Sequence, residues 1–93
     1  MKIYQSRIFE SKIKKFIKQE KGILDKEIKR IIENHFVGEE KKGDLRGVYI
    51  HKFKIKTIQY LLSYRIINAG LELIMIGPHE NYYKDLKSYL KQR

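Results

Sequence analysis

The side chains best suited to acid–base chemistry lie near the C-terminal end of the chain. Residues 79–83 include His79, Tyr82 and Tyr83, and a Gly-Pro pair at residues 77–78 precedes them. Histidine exchanges protons near neutral pH, and a tyrosine hydroxyl can donate or accept a hydrogen bond. Because the Gly-Pro pair ends an apolar strand pattern, the sequence predicts that His79 stands between a strand and a helix. There it either carries protons or only caps the helix.

A second group of candidates is basic and lies on two predicted strands. Lys52 and Lys54 alternate with apolar residues, so both side chains project from the same face of a sheet. Two ammonium groups on one face can hold a phosphate, although lysines on a strand also serve solubility alone. Arg65 lies in an otherwise apolar strand. It either contacts phosphate or forms an ion pair with Glu72 on the neighbouring strand.

Together these side chains suit the cleavage of RNA by its own 2′-hydroxyl. That reaction needs removal of the hydroxyl proton, stabilisation of charge on the phosphorane and protonation of the departing 5′-oxygen. Metal chemistry has little support, because His35, His51 and His79 lie in three different predicted elements. The sequence also contains no glycine-rich phosphate loop and no dinucleotide fingerprint. We therefore expect a site without metal or cofactor.

Length and composition restrict the class of protein further. The 93 residues suffice for one domain with a modest core. Lysine and arginine number 21 against 11 acidic residues, and the net charge of +10 favours a nucleic-acid partner over an anionic membrane. The absence of cysteine excludes disulfides and thiolate zinc sites. Without a signal-peptide pattern or a long apolar segment, a cytoplasmic location is expected.

The hydrophobic pattern predicts an α+β fold in the order β-α-α-β-β-β-α. A short strand at residues 3–5 precedes Ser6, which is expected to cap a helix, and Gly22 is expected to separate that helix from a second one. A polar loop at residues 38–43 leads to three strands and a final helix. We expect an antiparallel sheet of about four strands, with a helical hairpin on one face and the other face partly open.

Four segments of the chain carry a recognisable pattern, namely residues 42–49, 52–54, 60–65 and 76–87. In this order they resemble the RelE/ParE superfamily of bacterial toxins from type II toxin–antitoxin modules. The resemblance extends over nearly the whole chain and indicates one toxin domain, residues 1–93. It implies a microbial-ribonuclease-like fold. For the RelE branch it implies metal-independent cleavage of mRNA in the ribosomal A site, and therefore inhibition of translation.

The resemblance also implies roles for individual residues. Lys52 and Lys54 match the paired basic positions of the second strand, and they would neutralise the scissile phosphate together with Arg65. His79 matches the C-terminal histidine or basic position and would act as general acid or base. Tyr83 or its neighbour Tyr82 matches the aromatic position, where it would stack on a base or assist proton transfer.

One position departs from the nuclease pattern of this superfamily. Members with that pattern often carry arginine directly after the first tyrosine of the third strand, whereas this chain has Leu61 after Tyr60. The departure keeps the ParE branch open, in which the toxin inhibits DNA gyrase and cuts no RNA. In both branches the resemblance implies a cognate antitoxin that holds the basic domain inactive.

Overall fold

The computed structural model describes residues 1–92, so the predicted single domain contains one residue, Arg93, outside this range. The described part has five strands, three α-helices and a 3₁₀ turn at Gly43–Leu45. Their bounds are β1 Lys2–Gln5, α1 Arg7–Ile13, α2 Lys18–Glu33, β2 Glu39–Glu40, β3 Tyr49–Ile55, β4 Ile58–Ile67, β5 Gly70–Pro78 and α3 Tyr82–Lys91. The predicted α+β class and order of the main elements are confirmed.

The five strands form one sheet in the order β1-β5-β4-β3-β2. Strands β3, β4 and β5 pair antiparallel in chain order, and they are the three strands predicted after the polar loop. The sheet differs from the prediction in two ways. β1 runs parallel to β5 at one edge, so the sheet is mixed. At the other edge, Glu39 and Glu40 pair with β3 inside the segment predicted as a loop. Two polar residues show no alternation, which is why the pattern could not reveal this strand.

The break between the first two helices was predicted at the wrong place. Ser6 caps α1 as expected, accepting a 3.0 Å hydrogen bond from the backbone N–H of Phe9. However, α1 ends at Ile13 and Gly22 lies inside α2, where it is exposed and its Cβ position is open. A single glycine costs a helix about 1 kcal/mol, which a 16-residue helix tolerates. The chain turns earlier, and Phe16 in this turn packs its ring edge-on against Tyr60 of β4.

Two apolar clusters lie on opposite faces of the sheet. On one face the helical hairpin supplies Phe9, Leu24 and Ile31, which pack against buried residues of β3, β4 and β5. On the other face α3 supplies Tyr82 and Leu86, which pack against a second set of buried residues: Leu45, Val48, Ile50, Leu61, Ile74 and Met75. Helix α3 covers only part of this second face. The ends of β3 and β4 therefore carry exposed polar side chains beside it.

Candidate functional site

The paired lysines stand on the part of the second face that α3 leaves uncovered. Lys52 and Lys54 are both exposed, whereas the residues between and beside them on β3 are buried, as the alternation predicts. Their partners across β4 are Leu61 and Gln59. The backbone N–H of His79 donates to the carbonyl of Gln59 at 3.2 Å. Lys54 on β3, Gln59 on β4 and His79 just after β5 therefore lie side by side.

The start of α3 brings an aromatic ring to His79. The backbone N–H of Tyr82 donates to the His79 carbonyl at 3.2 Å, and Asn81 takes a left-handed conformation with φ 59°. This tight turn directs Tyr83 back toward the histidine. The two rings meet edge-on, with 6.2 Å between their centroids. His79 is exposed and Tyr83 is half-buried, so both remain open to a bound molecule.

A third lysine joins the group. Lys41 follows β2, and its backbone N–H donates to the Val48 carbonyl at 2.9 Å. Its ammonium nitrogen lies 5.2 Å from the centroid of the Tyr83 ring, within the range of a cation–π interaction. Sequence reasoning missed this residue, because it lies in a polar segment without periodicity. We refer to Lys41, Lys52, Lys54, His79 and Tyr83 as the cationic site.

One carboxylate lies within the cationic site. The Oε1 atom of Glu39 is 2.6 Å from the ammonium nitrogen of Lys41. This hydrogen bond raises the pKa of Lys41, and the same bond together with the charge of Lys41 lowers the pKa of Glu39. Lys52 also contributes to the lowered pKa of Glu39. The site is shallow and positive, which suits binding of a phosphodiester and stacking of a base on Tyr83.

The structure distinguishes the two candidate tyrosines. Tyr82 is only 3% exposed, and its hydroxyl lies 2.6 Å from the Met75 carbonyl and 2.8 Å from Oγ of Ser63. Burial raises the pKa of the Tyr82 hydroxyl. The side chain is therefore part of the core beneath α3. Of the two, the structure places only Tyr83 beside His79 at the surface.

Arg65 is placed away from the other candidates. Its Nε donates to Oε1 of Glu72 at 2.7 Å, so the ion pair that the sequence left open is present. Along β4 it lies six residues from Gln59, which corresponds to about 20 Å of extended strand. Leu61 is fully buried in the cluster beneath α3. Neither position brings a guanidinium group to the cationic site.

His51 links a strand to a helix and lies away from the cationic site. Nε2 of His51 lies 2.7 Å from Oε1 of Glu27, which joins β3 to α2 on the face opposite the cationic site. Within residues 1–92, no group of three or more histidine, cysteine, aspartate or glutamate side chains is arranged to hold a metal ion. Among the helices of the same range, none has the length and apolar character that crossing a membrane requires.

Residues 3–87 match the sequence profile of the ParE-like toxin of type II bacterial toxin–antitoxin systems. The chain belongs to this family. The match spans most of the protein and confirms the resemblance to the RelE/ParE superfamily that the ordered segments indicated. The protein is therefore a type II toxin by family. No curated protein sequence matches the toxin significantly.

Two solved structures from Escherichia coli share the toxin's fold. A chain of the intact RelBE toxin–antitoxin complex superposes with a TM-score of 0.66 and 19% identity, covering 84% of this chain and 95% of that one. The isolated RelE toxin superposes with a TM-score of 0.64 and 18% identity, covering 94% of this chain and 96% of that one. At such low identity the similarity shows the fold alone.

Proposed function

We propose that this toxin is an endoribonuclease that cuts mRNA in the ribosomal A site and thereby inhibits translation. The observation that supports this proposal is the contact of His79 with Tyr83 beside the exposed pair Lys52 and Lys54. A proton carrier, an aromatic surface and two cations then lie together on one open face. Cleavage by a 2′-hydroxyl requires the proton carrier and the cations, and the aromatic ring can stack on a base.

In the proposed mechanism the two lysines hold the scissile phosphate. Their Cα atoms are two residues apart on one strand, about 7 Å, so both ammonium groups can reach the same phosphate. His79, which lies beside Gln59, transfers a proton to or from the reacting oxygens. Tyr83 stacks on a neighbouring base and holds it in place.

In this proposal, two of the residues expected at the site, Arg65 and Tyr82, do not contact the RNA. Arg65 is held by Glu72 at the other end of β4, and Tyr82 is held in the core. The reaction would therefore rely on lysines for charge neutralisation, without a guanidinium group from either Arg65 or position 61. The proposed chemistry uses the protein's own side chains and needs no added metal or cofactor.

The test is to map mRNA ends by primer extension in a translating extract. The His79→Ala toxin is expected to lose most cleavage within translated codons, since histidine is the side chain of the site that exchanges protons most readily near neutral pH. His35→Ala is the matched control, because it removes a histidine from the connection after α2, and it is expected to cut like the wild type. Unchanged cleavage by folded His79→Ala would refute the role assigned to this residue.

A second candidate function is inhibition of DNA gyrase without nuclease activity. Two observations favour it: Leu61 is buried where nuclease members often carry arginine, and the matching family profile is described as ParE-like. A supercoiling assay with purified gyrase distinguishes the two proposals. Loss of supercoiling with intact mRNA would favour the gyrase target, and cut mRNA with normal supercoiling would favour the nuclease.

We also propose a cognate antitoxin as the partner that keeps the toxin inactive. The E. coli RelBE structure shows a protein of the same fold in a toxin–antitoxin complex. The net charge of +10 and the uncovered part of the second face would suit an acidic or amphipathic segment. Co-expression with the product of an adjacent short reading frame is expected to relieve growth arrest and to yield a complex that purifies as one species.

A further inference from the structure

The carboxylate of Glu39 lies among the cations of the site. In the pairing of β2 with β3, Glu39 is opposite Ile50, so the two side chains share a face of the sheet. Lys52 is the next β3 residue on that face. Glu39, Ile50 and Lys52 line a common depression of about 270 Å³. A negatively charged side chain thus occupies the place between Lys41 and Lys52.

Exposure shows which partner faces the solvent. The side chain of Glu39 is 71% exposed, whereas that of Lys41 is 24% exposed. Glu39 is therefore the more exposed partner of this surface ion pair. Because the pair lies at the surface, a phosphate from solution can compete with the Glu39 carboxylate for the Lys41 ammonium group.

A carboxylate and a phosphodiester present similar groups to an ammonium ion, namely anionic oxygens that accept charge-assisted hydrogen bonds. An ion pair between exposed side chains is weak and is screened by salt. A phosphate that also contacts Lys52 and Lys54 can therefore displace Glu39 from Lys41. The lowered pKa of Glu39 agrees with its position in a positive field.

We propose that Lys41 is a third phosphate-binding residue of the cationic site, and that Glu39 occupies it in the free toxin until an RNA phosphate takes its place. This inference rests on the proposed use of the site for RNA. It makes Glu39 an internal competitor that lowers RNA affinity. Phosphate bound to Lys41 would lie close to the Tyr83 ring, which is where the proposed mechanism places a stacked base.

The chain offers a matched control for this proposal. Glu40 follows Glu39 on β2 and pairs with Tyr49, so its side chain projects from the opposite face of the sheet. Glu39→Gln and Glu40→Gln remove the same charge from adjacent, exposed positions. Any difference between them in RNA affinity reflects position and not net charge.

The experiment measures binding of a labelled 2′-O-methyl RNA oligonucleotide, which has no 2′-hydroxyl to react, by fluorescence anisotropy at low salt. Glu39→Gln is expected to tighten binding by about two- to fivefold, the range for loss of a weak competing ion pair. Glu40→Gln is expected to give a clearly smaller change. Lys41→Met is expected to weaken RNA binding. In the Lys41→Met protein, adding Glu39→Gln is expected to raise RNA affinity only slightly.

Equal tightening by Glu39→Gln and Glu40→Gln would overturn the proposal, because net charge alone would then explain the effect. Full tightening by Glu39→Gln in the Lys41→Met protein would also overturn it, because Lys41 would not be the group that Glu39 occupies. The RNA probe resists cleavage, so this result is independent of whether the toxin cuts mRNA. Failure of the nuclease proposal and failure of this inference are therefore seen in separate assays.

Discussion

The adjacent residues Tyr82 and Tyr83 allow a sharp test of which side chains build the fold and which serve the site. Tyr82→Phe removes a single hydroxyl that lies 2.6 Å from the Met75 carbonyl and 2.8 Å from Oγ of Ser63. The ring remains to fill its place in the core. The change therefore isolates the hydrogen bonds, and Tyr83→Phe is the matched change one residue away.

Two buried groups lose a partner when the Tyr82 hydroxyl is removed. Oγ of Ser63 retains the Met75 carbonyl at 3.2 Å, so the loss is partial. We expect Tyr82→Phe to lower the free energy of unfolding by about 1–2 kcal/mol. In a domain of this size that corresponds to a melting temperature lower by about 5–10 °C. Tyr83 is half-buried, and Tyr83→Phe is expected to change stability by less than about 0.5 kcal/mol.

Thermal and urea unfolding followed by circular dichroism give the stabilities, and primer extension gives the cleavage of mRNA. At a temperature where both variants are folded, Tyr82→Phe should cleave like the wild type. A Tyr82→Phe protein as stable as the wild type would contradict the hydrogen bonds described for the core. A folded Tyr82→Phe protein that has lost cleavage would contradict the assignment of Tyr82 to the core alone.

Three further predictions concern stability and RNA binding. Burial raises the folded-state pKa of both Tyr82 and Tyr64. Because the unfolded chain loses these protons at lower pH than the folded protein, the free energy of unfolding falls as the pH rises above about 10. Urea unfolding between pH 8 and 11 should show this decline, with a shallower slope in Tyr82→Phe. Gly22→Ala fills an open position inside α2 and should raise the free energy of unfolding by about 0.5–1 kcal/mol in the same assay. Lys52→Met and Lys54→Met should each weaken binding of the 2′-O-methyl RNA. Each should also reduce the slope of log K against log salt concentration by about 0.7. An unchanged slope would argue against phosphate contacts by these lysines.

The parts of the fold that the sequence predicted are those with a strong local pattern. Alternation on β3 placed Lys52 and Lys54 on an exposed face, and Ser6 before an apolar helical stripe marked the start of α1. These features depend on neighbours in the chain. The order of elements follows from them, and the structure confirms it.

The features that were missed depend on contacts between distant residues. At the helix break, Phe16 packs on Tyr60, a residue 44 positions away, whereas Gly22 has only a weak local preference against helix. The parallel pairing of β1 with β5 joins residues about 70 positions apart, as in Lys2 with Gly70, and no local pattern encodes it.

The candidate site shows the same division. The C-terminal junction was found because histidine and tyrosine are chemically distinctive, but adjacent positions on a helix left open which tyrosine faces the surface. Lys41 was missed because its place beside Tyr83 arises from the fold of β2 against β3. Arg65 was chemically plausible, and only the position of Glu72 across the strands shows how it is held.

Strand β2 has a dynamic consequence for the cationic site. Glu39 and Glu40 pair it with β3, and the N–H of Lys41 adds one hydrogen bond to the Val48 carbonyl, so this edge has few hydrogen bonds to break. Segments with few such bonds are those that open at low free energy. Lys41 follows directly. Opening of this edge would therefore change the number of cations that meet a phosphate. A bound phosphate that bridges Lys41 and Lys52 would join the edge to β3, and the amide of Lys41 would then exchange its hydrogen more slowly.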